Sequence, residues 1–332
     1  MKIAEMFERF NVKRILVIGD VMIDAYVRGT VSRVSPEAPV PIVSLEKEEK
    51  RLGGAANVAV NLLALGANPV ICSVVGDDDS GRLMRQLLDN ASISSDGLIH
   101  SASRITTVKT RVIGNNQHLL RIDAEVTDAI TEQEETALIE CVENLLKSGV
   151  DGIIFEDYNK GLLTGRCISE IIRLAQDFGV KTTVDPKKDN FLCYKGVTLF
   201  KPNLKELKEG LGLQFSFSKN KELFQMAVNQ LESELKNDMS LVTLSEHGVY
   251  IRAKGEEHHI PAHIRNIADV SGAGDTVISV ATLCLVSDFP IKLIAEVSNI
   301  AGGLVCEESG VVAINKSQLL KECRELLEDT LV

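Results

Sequence analysis

A glycine-rich turn directly before a carboxylate is the feature of this chain best suited to chemistry. Residues 269–282 read DVSGAGDTVISVAT, where Gly272, Ala273 and Gly274 precede Asp275 and a helical apolar stretch. Small residues at a helix start let the backbone approach an anion, which the free N–H groups and the helix dipole stabilise. A carboxylate beside that anion is placed to take a proton from an attacking hydroxyl. A non-catalytic turn capped by Asp explains the same four residues.

The usual phosphate-binding loops are absent from the sequence. There is no GxxxxGK[ST] motif, and the first predicted strand runs into Gly19–Asp20–Val21 with no GxGxxG. A nicotinamide dehydrogenase is therefore disfavoured, because it needs that glycine fingerprint. Any phosphate chemistry has to use the turn at residues 272–275.

Short apolar runs alternate with helical patterns along most of the chain. This βαβ rhythm predicts a mostly parallel sheet with helices on both faces. The predicted strands are 14–19, 69–75, 151–156, 181–185, 197–200 and 240–244, and the predicted helices include 55–65, 80–90, 131–147, 165–178 and 220–236. Ligands in such sheets bind beyond the carboxyl ends of the strands. The first candidates are the polar residues that follow the strands: Asp20, Asp24, Gly76–Asp77, Asp157, Asp185 and Asn203.

Two segments break the rhythm and predict a flap. Residues 25–46 and 105–123 resemble strands with no helix between them, and the second has a hairpin turn at Gly114–Asn115–Asn116. We expect a small antiparallel flap beside the main sheet, although an edge extension of that sheet fits the pattern equally well. No linker divides the chain, so residues 1–332 are expected to form one domain with this flap.

Composition narrows the class of protein. A net charge of -11 over 332 residues argues against a nucleic-acid surface, because no basic stripe is available to displace phosphate counterions. Seven cysteines without a CxxC pair are typical of reduced thiols in a reducing compartment. The N-terminus has the pattern of an amphipathic helix, and no apolar run reaches the length of a membrane span. We expect a soluble, cytoplasmic protein.

The whole chain resembles the ribokinase/PfkB family of carbohydrate kinases. The family's N-terminal glycine motif corresponds to residues 53–57 (GGAAN), and its C-terminal signature to residues 269–276. Within the family, the chain is most similar to kinases of a heptose 7-phosphate. The segments that carry this likeness are 19–26, 32–43, 53–67, 156–161, 184–191, 202–206, 242–248 and 269–278. The resemblance implies a ribokinase-like three-layer α/β/α fold and a reaction that uses ATP and Mg²⁺.

The resemblance also implies a role for each matching residue. Asp275 is the general base, and Gly272, Ala273 and Gly274 form the anion hole. The residues implied for the nucleotide are Asn203, Glu206, Thr243, Ser245, Gly248 and Asn299, of which Glu206 holds Mg²⁺ through water. Those implied for the sugar hydroxyls are Asp24, Gly54 and Asn57. Asp269 and the Ser271 carbonyl fall where many members bind a monovalent cation such as K⁺.

Several of these residues also have ordinary structural explanations. Asp24 fits a turn at a strand end, and Asn57 fits a helix cap. Glu206 fits a solvated helical charge, and Asn299 fits a helix residue that bonds to backbone.

A phosphorylated sugar needs cations in an otherwise acidic protein. Lys160 and Lys187 follow predicted strands, and Arg111 lies in the expected flap. We hypothesise that the two lysines and a flap arginine hold the 7-phosphate of D-glycero-β-D-manno-heptose 7-phosphate, with its anomeric hydroxyl at Asp275. The product would be the 1,7-bisphosphate, a precursor of ADP-heptose and lipopolysaccharide. Solvated surface lysines are the simpler explanation for Lys109 and Lys188.

The sequence departs from the heptose kinases at four places: Ala25, Leu52, Asn115 and residues 308–314. These differences leave open another kinase of the family, acting on fructose-phosphate, tagatose-phosphate, ribose or a nucleoside. A non-catalytic sugar or nucleotide sensor is a further alternative, although loss of the base or the glycines would be its usual mark. Because many heptose kinases are fused to a nucleotidyltransferase with an HxGH-type motif and this chain has none, we expect it to stop at the bisphosphate. Two flaps closing on one another would make a homodimer.

Overall fold

A computed structural model describes residues 3–327 of the chain. Its strands are β1 Arg14–Gly19, β2 Val21–Val34, β3 Pro41–Gly54, β4 Asn68–Gly76, β5 Ser94–Ser101, β6 Val108–Gly114, β7 Gln117–Ala124, β8 Gly152–Glu156, β9 Lys181–Asp185, β10 Leu199–Phe200, β11 Met239–Thr243, β12 Val249–Ala253 and β13 Glu256–Ile260. Its α-helices are α1 Ile3–Glu8, α2 Ala55–Ala64, α3 Asp79–Asn90, α4 Glu132–Lys147, α5 Gly165–Asp177, α6 Leu204–Gly210, α7 Lys221–Leu235, α8 Ala273–Val286, α9 Ile291–Cys306 and α10 Lys316–Leu327.

The main sheet has nine strands in the order β13-β12-β11-β10-β9-β8-β1-β4-β5. All neighbouring pairs from β11 to β5 are parallel, and the two remaining pairs, β11–β12 and β12–β13, are antiparallel. The predicted parallel sheet is therefore confirmed, and each predicted strand has a counterpart. The apolar pattern of the sequence did not predict β5, β12 or β13.

Helices cover both faces of this sheet, as the burial of β1 illustrates. Ile15 and Val17 pack into one apolar cluster, with α2, α8, α9 and α10. Leu16 and Ile18 point the other way into a second cluster, with α4, α5 and α7. Because a strand buried on both faces needs apolar side chains throughout, continuous runs such as RILVIG mark the central strands.

The flap is a separate sheet of four strands in the order β3-β2-β6-β7. The turn of its second hairpin uses Asn115 and Asn116 with φ of 50° and 63°, the left-handed backbone that Asn tolerates. The prediction of an antiparallel flap is wrong in one respect, because β2 and β6 pair in parallel. Each hairpin is antiparallel internally, but the long excursion between them through α2 and α3 lets the two inner strands run in the same direction.

The two faces of the flap differ in polarity. Strand register puts Tyr26, Arg111 and Arg121 side by side on one face. The opposite face carries Val112 and Leu120, again direct partners, and Leu120 is 52% exposed. The charged face turns toward a cavity, as described below, and the apolar face turns away from it.

The carboxyl ends of β1, β8 and β9 meet at one edge of the main sheet. Gly19 is the register partner of Glu156, which is in turn the partner of Asp185. Helix α8 packs on the same face of these strands, where the Thr183 and Thr282 hydroxyls lie 2.7 Å apart. The side chains that end β8 and β9 therefore point toward the start of α8.

Candidate active site

The backbone at the start of α8 forms the glycine-rich turn that the sequence predicts. Gly272 is the N-cap residue with φ 79°, a left-handed conformation that suits glycine. A Cβ on Gly274 would lie 3.3 Å from Asp185 Oδ2, so little side chain fits there. The Ala273 N–H donates to the Val270 carbonyl at 3.3 Å, and the remaining N–H groups of the first turn, together with the α8 dipole, form a place for an anion.

Asp275 is held in the first turn of α8 by two hydrogen bonds. Its Oδ2 accepts from Asn57 Nδ2 at 2.6 Å, and its Oδ1 accepts from the Tyr158 hydroxyl at 2.9 Å. Burial raises the pKa of Asp275 to about 6, while the Asn57 and Tyr158 hydrogen bonds oppose that shift. The carboxylate is thus oriented and has a basicity closer to neutral pH than that of an exposed Asp.

Two further carboxylates lie beside Asp275. One oxygen each from Glu156, Asp185 and Asp275 fall within 4.8 Å of one another, and all three residues are buried. Burial first, and then the charges of Asp185 and Asp275, raise the pKa of Glu156 well above its ordinary value. Sequence reasoning had marked Asp185 as a strand-end residue and had missed Glu156.

Two lysines balance part of this negative charge. Lys201 Nζ lies 2.9 Å from Asp185 Oδ2, and Lys187 Nζ lies 2.9 Å from Glu206 Oε1. Burial disfavours the charged form of Lys187, but Asp185 and Glu206 outweigh it and raise its pKa. We refer to these residues as the strand-end cluster: Glu156, Asp185, Lys187, Lys201 and Glu206.

Asn203 and Glu206 form a reciprocal cap at the start of α6. Asn203 Oδ1 accepts from the Glu206 N–H, and Glu206 Oε2 accepts from the Asn203 N–H, both at 2.8 Å. Glu206 is therefore not a solvated helical charge, because one oxygen caps the helix and the other meets Lys187.

A cavity of about 640 Å³ opens beside the glycine turn. It brings together Ala273 and Gly274 with four of the residues implied for the nucleotide, which are Thr243, Ser245, Gly248 and Asn299. Asn299 also donates to the Pro261 carbonyl at 2.9 Å, so it bonds to backbone while it lines the cavity. The walls of this cavity also include residues that sequence reasoning missed, such as His263, Arg265 and Gly303.

A second cavity of about 520 Å³ lies under the flap. Asp24, Asn57 and Tyr26 line it, together with Arg51, which sequence reasoning had not singled out. A Cβ on Gly53 would lie 2.3 Å from Asp24 Oδ2, which explains a glycine at that position. Asp275 is linked to both cavities through its neighbours, because Asn57, which bonds to it, lines this cavity, and Ala273 and Gly274 line the first one.

The cations at the edge of the flap are paired with acids. Arg111 donates to Asp24, and its guanidinium lies 5.3 Å from the Tyr26 ring centre. Lys160 and Lys109 both contact Glu125, at 2.8 and 3.1 Å. We refer to these residues as the rim cluster: Asp24, Lys109, Arg111, Glu125 and Lys160. Lys187, which was grouped with Lys160 in the sequence analysis, lies instead in the strand-end cluster.

The loop after β8 is anchored by Asp20. Its carboxylate accepts the backbone N–H groups of Tyr158, Lys160 and Leu162 at 2.9, 3.1 and 3.3 Å. Asp157 in the same loop accepts from the Tyr194 hydroxyl at 2.7 Å. These strand-end aspartates therefore position Tyr158 and Lys160, and neither faces a described cavity.

Asp269 caps the backbone just before the glycine turn. Its carboxylate accepts from the Ser271 N–H at 2.9 Å and from the Gly310 N–H at 3.1 Å. These hydrogen bonds, that from Ser271 first, lower the pKa of Asp269. The charge therefore persists beside the turn at neutral pH.

Fold and site together define a carbohydrate kinase of ribokinase-like architecture, which transfers a phosphoryl group from ATP. Residues 12–318 match the model of the pfkB family carbohydrate kinases, and the chain belongs to that family.

The chain is 38% identical over 323 residues to the Bifunctional protein HldE of Citrifermentans bemidjiense, covering 97% of this chain and 65% of that protein. It is 38% identical over 298 residues to the protein of the same name from Helicobacter pylori strain J99, covering 90% and 64%. The chain thus spans less than two thirds of the length of these curated relatives.

Solved structures support the same fold. Escherichia coli phosphofructokinase-2 in complex with potassium aligns with a TM-score of 0.76 at 17% identity, over 93% of this chain and 97% of that one. Arabidopsis thaliana ribokinase complexed with ribose and ATP aligns with a TM-score of 0.70 at 17% identity, over 93% and 99%. No helix within residues 3–327 is both long and apolar enough to cross a membrane.

Kinases of this family use ATP with Mg²⁺, and the strand-end cluster fits such an ion. Glu156 and Asp185 supply carboxylate oxygens, the ligands that Mg²⁺ prefers. Both Glu156 oxygens are buried and have no hydrogen-bond partner among the described residues. A cation would give them one.

Proposed function

We propose that this protein phosphorylates the anomeric hydroxyl of D-glycero-β-D-manno-heptose 7-phosphate with ATP, giving the 1,7-bisphosphate used for ADP-heptose and lipopolysaccharide. The observation that carries the kinase chemistry is the position of Asp275 in the first turn of α8, where its partner Asn57 lines one cavity and its neighbours Ala273 and Gly274 line the other. The matching segments and the relatives named Bifunctional protein HldE support the heptose branch of the family. A cytoplasmic location and a single domain over residues 1–332 stay predictions from the sequence.

The proposed mechanism begins with deprotonation. Asp275 accepts the proton of the sugar hydroxyl, while Asn57 and Tyr158 hold the carboxylate toward it. The backbone of Gly272, Ala273 and Gly274, at the positive end of the α8 dipole, stabilises the charge that develops on the transferring phosphoryl group. Mg²⁺, when bound, neutralises phosphate charge at the strand ends.

ATP is proposed to occupy the larger cavity. Thr243, Ser245, Gly248 and Asn299 line it, and its wall includes the first turn of α8. Asn203 and Glu206 stand at the strand-end side, where Lys187 is suited to contact the phosphates. This position favours Lys187 as a nucleotide-side cation over its earlier assignment to the sugar phosphate.

The sugar phosphate is proposed to occupy the cavity under the flap. Asp24, Gly54 and Asn57 serve the hydroxyls, and Lys160 and Arg111 serve the 7-phosphate. Both cations have carboxylate partners, Asp24 for Arg111 and Glu125 for Lys160, so the substrate phosphate competes with these acids for them. Arg51 lines the same cavity and adds a third cation.

A different sugar or sugar phosphate is the second candidate substrate, and a specific observation favours it. Leu52 and residues 311–313, which fall in the segments that depart from the heptose kinases, line the cavity under the flap. Fructose-phosphate, tagatose-phosphate and ribose are therefore included as test substrates.

The deciding experiment is ATP turnover on a panel of sugar phosphates, with Asp275→Asn as the control variant. The heptose 7-phosphate should give the highest kcat/KM, and loss of the base should lower turnover on the order of a hundredfold or more. A preference for another sugar phosphate would replace the heptose assignment. Near-normal turnover by Asp275→Asn would overturn the mechanism and favour a different base.

A monovalent cation and a dimer complete the proposal. Asp269 and the Ser271 carbonyl are proposed to bind K⁺ beside the turn, so KCl should raise turnover relative to tetramethylammonium chloride.

A homodimer is proposed through the apolar face of the flap, where Leu120 and Ile122 are 52% and 55% exposed. Sedimentation should show a dimer that Leu120→Lys dissociates; a monomeric wild type would refute this contact.

A further inference from the structure

Glu156 is a buried carboxylate that no described residue satisfies. It is fully buried as the last residue of β8, and neither of its oxygens has a hydrogen-bond partner within residues 3–327. Buried polar groups are almost always paired, and a protonated Glu156 would lack a partner just as an ionised one does. The site therefore calls for a partner from outside the chain.

The neighbours of Glu156 show what that partner is. Register places Asp185 directly beside it, and one oxygen of each lies within 4.8 Å of the other and of Asp275. Both oxygens of Asp275 already accept hydrogen bonds, from Asn57 and Tyr158. Glu156 and Asp185 are therefore the two carboxylates best placed to share one ion.

The local charge indicates a divalent ion. Four carboxylates (Glu156, Asp185, Glu206 and Asp275) meet two ammonium groups, those of Lys187 and Lys201. If all six are ionised, two negative charges remain. A small divalent cation with carboxylate and water ligands neutralises that excess.

Glu206 is less available to such an ion. One of its oxygens caps α6, and the other contacts Lys187 at 2.9 Å. Asp185 Oδ2 meets Lys201 and lies 3.3 Å from the position of a Cβ on Gly274. An ion held by Asp185 would therefore stand next to the anion hole.

We propose that Glu156 and Asp185 bind one Mg²⁺-class ion directly, before any nucleotide arrives, and that Glu206 is not its protein ligand. This inference deepens the proposed function and rests on it for the ion's purpose. The ion waits at the strand ends, and the nucleotide phosphates take the places of its waters. Binding of the ion alone can be measured without any turnover.

The experiment is a titration of nucleotide-free, sugar-free protein with Mn²⁺ alone, in which free Mn²⁺ is followed by electron paramagnetic resonance. The wild type should bind one ion, and Mg²⁺ should displace it. Mutation of a residue that only supports a metal ligand typically lowers metal affinity about tenfold or more. Glu156→Gln removes a direct ligand, so it should weaken Mn²⁺ binding by at least about tenfold. Glu206→Gln should weaken binding clearly less than Glu156→Gln does. Glu135→Gln, a buried carboxylate that pairs with Arg166, is the matched control and should bind as the wild type does.

Each result decides the proposal. If Glu156→Gln binds Mn²⁺ like the wild type, Glu156 holds only water or a proton and the proposal fails. If Glu206→Gln loses binding and Glu156→Gln keeps it, Glu206 is the ligand. If the wild type binds no Mn²⁺ without nucleotide yet phosphorylates sugars, this inference fails while the proposed function stands. Thermal unfolding gives a second readout, since Mn²⁺ should raise the Tm of the wild type and leave that of Glu156→Gln or Asp185→Asn nearly unchanged.

Discussion

The strand-end cluster and the rim cluster are both groups of paired charges, but they are built differently. In the strand-end cluster, Glu156 and Asp185 end adjacent strands of the main sheet, and Lys201 is only 2% exposed. In the rim cluster, Lys160 comes from a loop and Arg111 from the flap, with 15% and 22% of their side chains exposed. Strand register fixes Glu156 and Asp185 in the first cluster, whereas the second cluster joins the flap to a loop.

This difference separates the two halves of the proposed reaction. The strand-end cluster has an unpartnered carboxylate, so a cation can join it without breaking any contact. In the rim cluster, Lys160 and Arg111 each contact an acid, so a substrate phosphate competes with Glu125 and Asp24 for these cations. We infer that the phosphoryl-transfer side is preformed, whereas the sugar-phosphate side rearranges when ligand binds.

The largest expected effect is on stability, from Lys201→Met. This change leaves Asp185 buried without its 2.9 Å partner. Breaking a buried pair by removing one member typically costs about 3–5 kcal/mol. Urea unfolding of the metal-free protein measures the loss. Lys181→Met, which removes a half-exposed lysine from its contacts with Asp288 and the Leu285 carbonyl, is the matched control and should cost much less. A loss below about 1 kcal/mol for Lys201→Met would contradict the view that this cluster is rigid and buried.

The next effect is on substrate affinity, from Lys160→Glu. A charge-assisted hydrogen bond to phosphate contributes about 1.5–3 kcal/mol, so KM for the sugar phosphate should rise by tens of times or more. KM for ATP should stay within about twofold, because the lysine contacts Glu125 of the rim and not the strand-end cluster.

A sugar that lacks the phosphate sharpens this test. The wild type and Lys160→Glu should then have similar KM values for that sugar, since no phosphate is present to lose its contact. Equal effects on sugar phosphate and ATP would show that Lys160 does not hold the substrate phosphate.

The positions of these charges were only partly predictable from sequence. The strands were correctly predicted because a strand buried on both faces needs an unbroken apolar run, and Asp185 stood out because it ends such a run. Glu156 also ends one, yet a charged residue there reads as an ordinary strand boundary. Its importance depends on register with β9 and on the missing hydrogen-bond partner, which a single sequence does not reveal.

Long-range partners were the least predictable part of the site. Lys187 and Lys160 both follow strands, and the sequence grouped them for that reason. The two lysines lie in different clusters because each contacts a different acid. The partner of Lys187 is Glu206, 19 residues away along the chain, and the partner of Lys160 is Glu125, 35 residues away. The parallel pairing of β2 with β6 escaped prediction for the same reason, because local pattern reveals hairpins but not how two hairpins join.

A smaller effect is expected from Tyr158→Phe, which tests how the strand-end side tunes the base. The Tyr158 hydrogen bond lowers the pKa of Asp275, so its loss should raise that pKa above about 6. A hydrogen bond to a charged group contributes about 1.5 kcal/mol, which corresponds to a shift of roughly one unit in the pKa. Because the base must be deprotonated, kcat/KM falls as pH falls through this pKa, and the acid limb should move to higher pH.

The matched control for this variant is Tyr194→Phe. Tyr194 is fully buried and donates to Asp157, so the same hydroxyl is lost away from the base. Its pH profile should coincide with that of the wild type even if stability falls. An unshifted acid limb in Tyr158→Phe would mean that Asp275 is not the titrating group.

The smallest effect is expected from Arg121→Gln on the flap. Arg121 shares a face with Arg111, but its side chain is 57% exposed and pairs with Asp123 two residues along its own strand. Exposed pairs contribute less than about 1 kcal/mol, so unfolding should change little. KM for the sugar phosphate should also stay within about twofold, in contrast to the effect of Lys160→Glu. If Arg121→Gln raised that KM as much as Lys160→Glu does, the substrate phosphate would lie farther along the flap than the rim cluster. The rearranging side of the site would then be the flap hairpin itself.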